Sequence, residues 1–77
     1  MIDKKRFLEL VARQFEHTPT TEISMSSHFI DFDEWCSLVG LSIWAMIRDN
    51  YGVKLSLKEL YEAKTVAELY DKVNQTL

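Results

Sequence analysis

The feature that most constrains the fold is a nearly continuous apolar run over residues 38–47, in which only Gly40 and Ser42 interrupt apolar side chains. A helix on the surface of a small protein normally carries a polar face, and this segment has almost none. The side chains predicted to face inward are Ile43, Met46, Ile47 and Tyr51, and those predicted to face outward are Leu38 and Val39. We therefore expect a helix over residues 37–50 that lies at the centre of the fold and also exposes part of its apolar surface.

Ser37 stands at the start of this predicted helix. Serine is a good N-cap residue, and Asp31, Asp33 and Glu34 just ahead of it suit the positive end of the helix dipole. At the other end, Gly52 is placed for a left-handed C-terminal cap. Inside the helix, Gly40 costs about 1 kcal/mol relative to alanine and predicts the close approach of another backbone. The pattern presents a serine hydroxyl at a helix start, where backbone N–H groups and the dipole favour an anion.

A first helix and a long loop precede the apolar helix. Asp3 is the predicted N-cap of a helix over residues 4–16, whose apolar stripe consists of Phe7, Leu8, Val11 and Phe15. Pro19 ends this helix, because proline disfavours helical geometry in the residue before it. The following stretch of about 20 residues keeps no helical period and is long for a compact domain. Its apolar side chains are predicted to pin it to the core: Ile23, Met25, Phe29, Ile30, Phe32 and Trp35.

Two capping-box patterns predict the last two helices. Ser56 followed by Glu59 opens a helix over residues 57–63, and Thr65 followed by Glu68 opens another to about residue 74. Their predicted core side chains are Leu57, Leu60 and Tyr61, then Val66, Leu69, Tyr70 and Val73, with the last three residues frayed. Two glycines and one proline leave little room for β-turns. The sequence predicts one all-α domain, residues 1–77, with three main helices, one short helix and a long loop between the first and second.

Charge and cysteine content exclude several classes of function. Nine Lys and Arg stand against twelve Asp and Glu, a net charge of −3, whereas nonspecific nucleic-acid binding needs a basic face. The single cysteine, Cys36, forms no internal disulfide, and with His17 and His28 it makes no zinc pattern. The apolar run is about half of the roughly 20 residues that a membrane span needs. We expect a cytoplasmic monomer with no secretory signal, no metal and no membrane insertion.

The residues give little support to catalysis. Ser37 would need a base and an oxyanion site to act as a nucleophile, and neither His17 nor His28 is near it in the sequence. The three acidic residues just before it are most simply explained as solvated charge. The sequence therefore predicts a binding or carrying module rather than an enzyme.

Four stretches together match the pattern of a known family: Phe29-Ile30-Asp31-Phe32-Asp33-Glu34-Trp35, Cys36-Ser37-Leu38, Asp49-Asn50-Tyr51-Gly52-Val53 and Thr65-Val66-Ala67-Glu68-Leu69-Tyr70. In that family a Phe-containing lead-in precedes Asp-Ser-Leu, an apolar helix ends in Glu-Glu-Phe/Tyr-Gly-Val, and Thr-Val opens the last helix. On these motifs the chain resembles an acyl carrier protein over nearly its whole length. The resemblance implies a four-helix acyl-carrier bundle with Ser37 as the phosphopantetheine attachment site.

The resemblance also implies partners and a role. A phosphopantetheinyl transferase would attach the arm from coenzyme A, and its thiol would carry acyl groups as thioesters between acyl-transferring or condensing enzymes. The pathway implied is fatty acid, polyketide or related lipid biosynthesis. Cys36 stands where the family has Asp, and the helix lacks the family's usual acidic residues. Partner docking is therefore expected to depend on Leu38, Val39, Ser42 and Ile43.

Two other interpretations stay open at this point. An aminoacyl or peptidyl carrier would share the arm and differ only in its cargo. An unmodified helical interaction module of the same fold is the second, and Cys36 is the residue that favours it.

Overall fold

The structure is a computed structural model that describes residues 2–77. Its four α-helices are α1 (Lys4–Ala12), α2 (Ser37–Tyr51), α3 (Leu57–Glu62) and α4 (Val66–Thr76). Two short 3-10 turns, Thr20–Glu22 and Phe29–Asp31, lie in the long loop between α1 and α2, and the described residues contain no strand. α1 packs against α2 and α4, while α2 also packs against α3. The predicted all-α bundle of four helices is confirmed.

One core joins the helices and the loop. The largest side chains that are fully buried are Phe7, Phe29, Ile43, Ile47, Leu60, Leu69, Val11, Val66 and Val73. Each contributes on the order of 1.5–3 kcal/mol relative to an exposed position. Phe29 belongs to the loop, Ile23 is buried beside this core, and the other four predicted loop anchors are partly buried against it. The loop is therefore packed down by its own side chains, as predicted.

The first helix is shorter than its sequence pattern suggests. Asp3 caps it as predicted, accepting from the N–H groups of Lys5 and Arg6. The helix ends at Ala12 and not at residue 16, because the next N–H groups of Gln14 and Phe15 bond three residues back, in a tighter turn. This turn places the Phe15 ring against the rings of the loop, with its centroid 5.3 Å from that of Phe32.

The buried face of α1 also differs from the predicted stripe. Phe7 and Val11 are buried as expected, but Leu8 is only partly buried, while Leu10 and Ala12 are buried in its place. The helix is covered on one side by α2 and on another by α4, so its buried face is wider than one stripe.

The central helix α2 faces its neighbours largely as predicted. Ile43, Met46 and Ile47 are buried, Tyr51 is partly buried, and Leu38 is 73% exposed. The prediction that Val39 faces outward is correct only in part, since Val39 is partly buried against the core. The helix ends at Gly52, whose φ of 68° and N–H bond to the Arg48 carbonyl form the predicted left-handed cap.

The third helix exposes more apolar surface than predicted. Its capping box is complete, with Ser56 and Glu59 each accepting from the other's backbone N–H, and it ends at Glu62. Leu60 is fully buried, but Leu57 is 47% and Tyr61 44% exposed, so these two are not core side chains. A helix of six residues has too few turns to bury more than one narrow face.

The fourth helix buries all four predicted core residues, Val66, Leu69, Tyr70 and Val73. It runs to Thr76, past the predicted end at residue 74. Its capping box is half formed: Thr65 accepts from the Glu68 N–H, while the Glu68 carboxylate bonds the Thr65 hydroxyl and not its backbone N–H.

Candidate functional site

Ser37 is exposed and is the first helical residue of α2. The prediction that Ser37 is the N-cap is wrong by one position. Cys36 has the extended backbone of an N-cap, with φ of −156° and ψ of 174°, and its carbonyl accepts the first intrahelical bond from the Gly40 N–H at 3.0 Å. The helix therefore begins before the serine, and the serine hydroxyl lies on its first turn.

The first turn of α2 leaves its backbone donors available. The first N–H groups of a helix have no intrahelical acceptor, and the Cys36 side chain makes no capping hydrogen bond to them. The described first turn also carries no acidic side chain that would neutralise the helix dipole. The N–H groups of residues 37–39 thus form a small region of positive potential around the Ser37 hydroxyl, which favours a phosphate.

Trp35 lies two residues before Ser37 and packs against the loop and α3. Its ring packs edge to face against Phe29 and Tyr61, with centroids 5.6 and 5.8 Å away, and it lies against Gly40. A Cβ at Gly40 would lie 3.2 Å from Trp35 Cη2 and 3.4 Å from the Tyr61 hydroxyl oxygen. The predicted close approach at Gly40 is therefore made by an indole ring and a phenol, and not by a backbone.

Glu34 lies three residues before Ser37 and is bonded to the segment after α1. Its carboxylate accepts hydrogen bonds from the N–H groups of Glu16 (2.6 Å) and His17 (3.0 Å) and from the Thr18 hydroxyl (2.8 Å). We call this set of bonds the Glu34 clamp. It ties the segment after α1 to the residues just before α2, across 16 to 18 positions of sequence.

The clamp perturbs the acidity of Glu34. Desolvation by itself raises the pKa of the carboxyl, but the hydrogen bonds from Thr18, His17 and Glu16 outweigh it, and the net pKa is lowered from its ordinary value of 4.5. A carboxyl whose folded pKa is depressed stabilises the fold above its unfolded pKa and loses that contribution as the pH falls through the folded pKa. The clamp is therefore intact at neutral pH and weakens in acid.

A shallow groove of about 330 Å³ lies along the start of α2, and we call it the clamp groove. Its lining consists of Gln14, Glu16, His17, Glu34, Cys36, Leu38, Val39 and Ser42. One wall is the segment after α1, held by the Glu34 clamp, and the other is the first two turns of α2. Three of the four predicted docking residues, Leu38, Val39 and Ser42, thus line this groove.

The fourth predicted docking residue does not share that surface. Ile43 is fully buried and belongs to the core, so a partner has no direct access to it. Leu41, which the sequence reasoning did not select, is 47% exposed on the same helix.

The two histidines lie in different places. His17 lines the clamp groove together with Cys36, an exposed residue with a free thiol. His28 is exposed and precedes the second 3-10 turn, where it lines a separate groove with Tyr61 and Lys64. Among residues 2–77, no three His, Cys, Asp or Glu side chains are grouped to hold a metal ion.

Comparison with known families identifies the family of the chain. The family model described as phosphopantetheine attachment site matches residues 5–73, most of the chain. The chain belongs to this family. It is a phosphopantetheine carrier, and a domain of this kind is the site of covalent phosphopantetheine attachment. The chain has no significant match among curated proteins or solved structures.

The residues of the carrier suit such a group. An exposed hydroxyl beside free helix N–H groups suits a phosphodiester, since the amides and the dipole stabilise its negative charge. Carrier domains of this family are typically non-catalytic and interact with phosphopantetheinyl transferases and acyl-handling enzymes. No helix between residues 2 and 77 is long and apolar enough to span a membrane.

Proposed function

We propose that the chain is a single-domain acyl carrier protein whose phosphopantetheine is attached to the hydroxyl of Ser37. The observation that supports this assignment best is the position of Ser37, exposed on the first turn of a 15-residue helix with no capping side chain over it. Trp35 and the Glu34 clamp hold the chain just before this turn. A transferase would therefore meet a rigid helix start with an accessible hydroxyl.

The attachment reaction uses coenzyme A as the donor. The Ser37 oxygen attacks the phosphorus that bears pantetheine, a serine phosphodiester forms, and the pyrophosphate bond breaks to release adenosine 3′,5′-bisphosphate. The transferase accepts the serine proton and supplies the catalysis. The carrier contributes the nucleophile and the N–H groups of its first turn, which stabilise the phosphodiester. The thiol of the attached group then carries acyl chains as thioesters.

Docking of partner enzymes is proposed to depend on apolar contact. Leu38 and Leu41 are exposed on α2 beside the partly buried Val39. Exposed apolar clusters on small proteins commonly mark protein interfaces. The acidic residue on α2, Asp49, lies near the far end and pairs with Arg48 at 3.1 Å. A partner with an apolar rather than a strongly basic face suits this surface.

A charge placed in this surface tests the docking proposal. Val39→Glu should lower the rate at which partner enzymes use the carrier, because binding would bury an uncompensated carboxylate. Leu77→Glu is a control for the added charge alone, since Leu77 is an apolar residue that is 63% exposed at the other end of the chain. Unchanged turnover with Val39→Glu would count against apolar docking.

The cargo and setting proposed are acyl chains in fatty acid, polyketide or related lipid biosynthesis, in the cytoplasm. The lone Cys36 thiol is compatible with a reducing compartment, because the fold needs no disulfide. Loading by an acyl-transferring enzyme supports this cargo, whereas loading by an adenylating enzyme would show an aminoacyl or peptidyl carrier.

Intact mass after incubation with coenzyme A and a broad-specificity phosphopantetheinyl transferase tests the attachment. Wild type should gain one phosphopantetheine and Ser37→Ala none, while Ser26→Ala, which removes an exposed serine of the loop, should behave as wild type. No gain with several transferases would favour the unmodified interaction module. Cys36→Asp would then show whether the cysteine before the serine is the cause.

A further inference from the structure

We infer that Glu34 is a positioning residue for phosphopantetheine attachment. The Glu34 clamp holds the first turn of α2 in place of an N-cap side chain, and so presents Ser37 to the transferase in a formed helix. This role rests on the proposed attachment at Ser37. It belongs to a carboxylate whose hydrogen-bond donors lie 16 to 18 positions earlier in the chain.

The start of α2 lacks the usual local support of a helix end. A side chain at the N-cap position normally accepts from an N–H group of the first turn, and without that bond a helix start is less stable. Cys36 occupies this position and makes no such bond. The other three α-helices within residues 2–77 each have an N-cap side chain that does so: Asp3, Ser56 and Thr65. The first turn that carries Ser37 therefore needs support from elsewhere.

The clamp supplies this support from outside the helix. The Glu34 carboxylate accepts from the N–H groups of Glu16 and His17 at 2.6 and 3.0 Å and from the Thr18 hydroxyl at 2.8 Å. A hydrogen bond to an ionised acceptor is stronger than one between neutral groups. Because Glu34 lies only three residues before Ser37, the clamp restricts the backbone that leads into the first turn.

The segment that the clamp bonds is itself anchored to the core. Phe15 precedes it, is buried, and packs its ring against the rings of Phe32 and Trp35, with centroids 5.3 and 6.5 Å away. The Trp35 ring also packs against Phe29 and Tyr61. The clamp thus joins the start of α2 to a fixed part of the fold, and aromatic contacts reinforce the same connection.

Support of this kind suits a modified serine because it leaves the helix amides free. An N-cap side chain would accept from the N–H group of residue 38 or 39, and these are among the donors proposed to stabilise the phosphodiester. The clamp instead bonds the N–H groups of residues 16 and 17. The first turn is therefore ordered before attachment and still offers its N–H groups to the phosphate.

Hydrogen exchange on the unmodified carrier tests the connection between the clamp and the first turn. The Gly40 N–H makes the first intrahelical bond of α2, to the Cys36 carbonyl. Glu34→Ala should speed exchange of this amide by about fivefold, the effect expected from loss of a helix cap. Glu59→Ala is the matched control, since it removes another carboxylate that accepts a backbone N–H at a helix start and should leave Gly40 exchange unchanged.

The kinetics of phosphopantetheine transfer test the consequence for Ser37. When only a fraction of the carrier has a formed first turn, its apparent affinity for the transferase falls by that fraction, while bound carrier reacts normally. Glu34→Ala should therefore raise the KM for the carrier by about threefold and leave kcat near that of wild type. Glu34→Gln keeps an acceptor oxygen and should give an intermediate KM, whereas Glu59→Ala should match wild type in both constants.

A rescue experiment separates this local effect from general destabilisation. In the Glu34→Ala background, Cys36→Asn adds an N-cap side chain and should restore slow exchange of Gly40, while Cys36→Ala should not. Gly40 exchange that is unchanged by Glu34→Ala, or that Cys36→Asn does not restore, would overturn the inference. A KM for Glu34→Ala equal to that of wild type would also overturn it and would leave attachment at Ser37 intact. Absence of any mass gain in wild type would instead refute the proposed function, and the role of Glu34 with it.

Discussion

Gly40→Ala is expected to destabilise the carrier, although alanine is the better helix former. The substitution gains about 1 kcal/mol of helix propensity. The new Cβ would lie 3.2 and 3.3 Å from two carbons of the Trp35 ring, which Phe29 and Tyr61 hold from other sides. Crowding of this kind costs about 1–3 kcal/mol. The net loss in free energy of unfolding should therefore be about 1 kcal/mol.

A double-mutant cycle isolates the contact between residue 40 and the Trp35 ring. Trp35→Phe removes the part of the ring that meets Gly40, so in that background Gly40→Ala should stabilise the protein by about 1 kcal/mol, its full helix gain. The coupling between the two positions should then be about 2 kcal/mol, within the range seen for residues in contact. Urea unfolding followed by far-UV circular dichroism measures all four proteins, because this signal does not depend on the tryptophan that is replaced.

Gly52→Ala provides the matched control. A Cβ there would meet nothing within 4 Å, but the residue has a φ of 68°. Its cost should be about 1–2 kcal/mol from the left-handed backbone alone, and it should not change with Trp35→Phe. A stabilising Gly40→Ala in wild type, or equal effects in both backgrounds, would refute the argument that the indole ring is held against α2.

Four further substitutions each test one side-chain group. Glu34→Gln should lower the free energy of unfolding near neutral pH. Its difference from wild type should shrink as the pH falls below about 4.5, because protonation of Glu34 then weakens the clamp in wild type too. A difference that stays constant with pH in urea titrations would contradict this. Tyr70→Phe should lower the free energy of unfolding by about 1 kcal/mol in a thermal unfolding assay, because the Ile2 carbonyl loses its hydroxyl donor. In the same assay Tyr51→Phe should be neutral or stabilising, since the buried Tyr51 hydroxyl has no partner among the described residues. Ser56→Ala should cost about 1 kcal/mol through loss of the capping box, and unchanged chemical-denaturation midpoints would show that α3 does not depend on it.

The local signals of the chain determined much of the fold. Capping residues act over three or four positions, so Asp3, Ser56 and Gly52 marked helix ends correctly from the sequence alone. The side chains of the apolar run can be buried only in a helix that has neighbours on several sides. This requirement placed α2 at the centre of the fold. The same local order placed an exposed serine at the start of that helix.

Tertiary structure decided the features that depend on residues far apart in the chain. Phe15 lies outside α1, contrary to the sequence pattern, because its ring is buried against aromatic side chains of the loop. Glu34 looked like solvated charge because its donors lie 16 to 18 positions earlier, at a distance that no local pattern encodes. Tyr61 fits a helical apolar face in sequence, yet it is exposed because a six-residue helix buries only one face.

The surroundings of Ser37 show the same division. The sequence by itself determined that a serine begins an apolar helix, since cap, dipole and periodicity are local properties of the chain. Only the folded structure decided that the Trp35 ring packs against Gly40 of that helix and that the Glu34 clamp forms part of a groove along its start. The physical reason is that packing and hydrogen bonding between distant segments depend on which surfaces meet, and this is settled by the whole core rather than by neighbours in sequence.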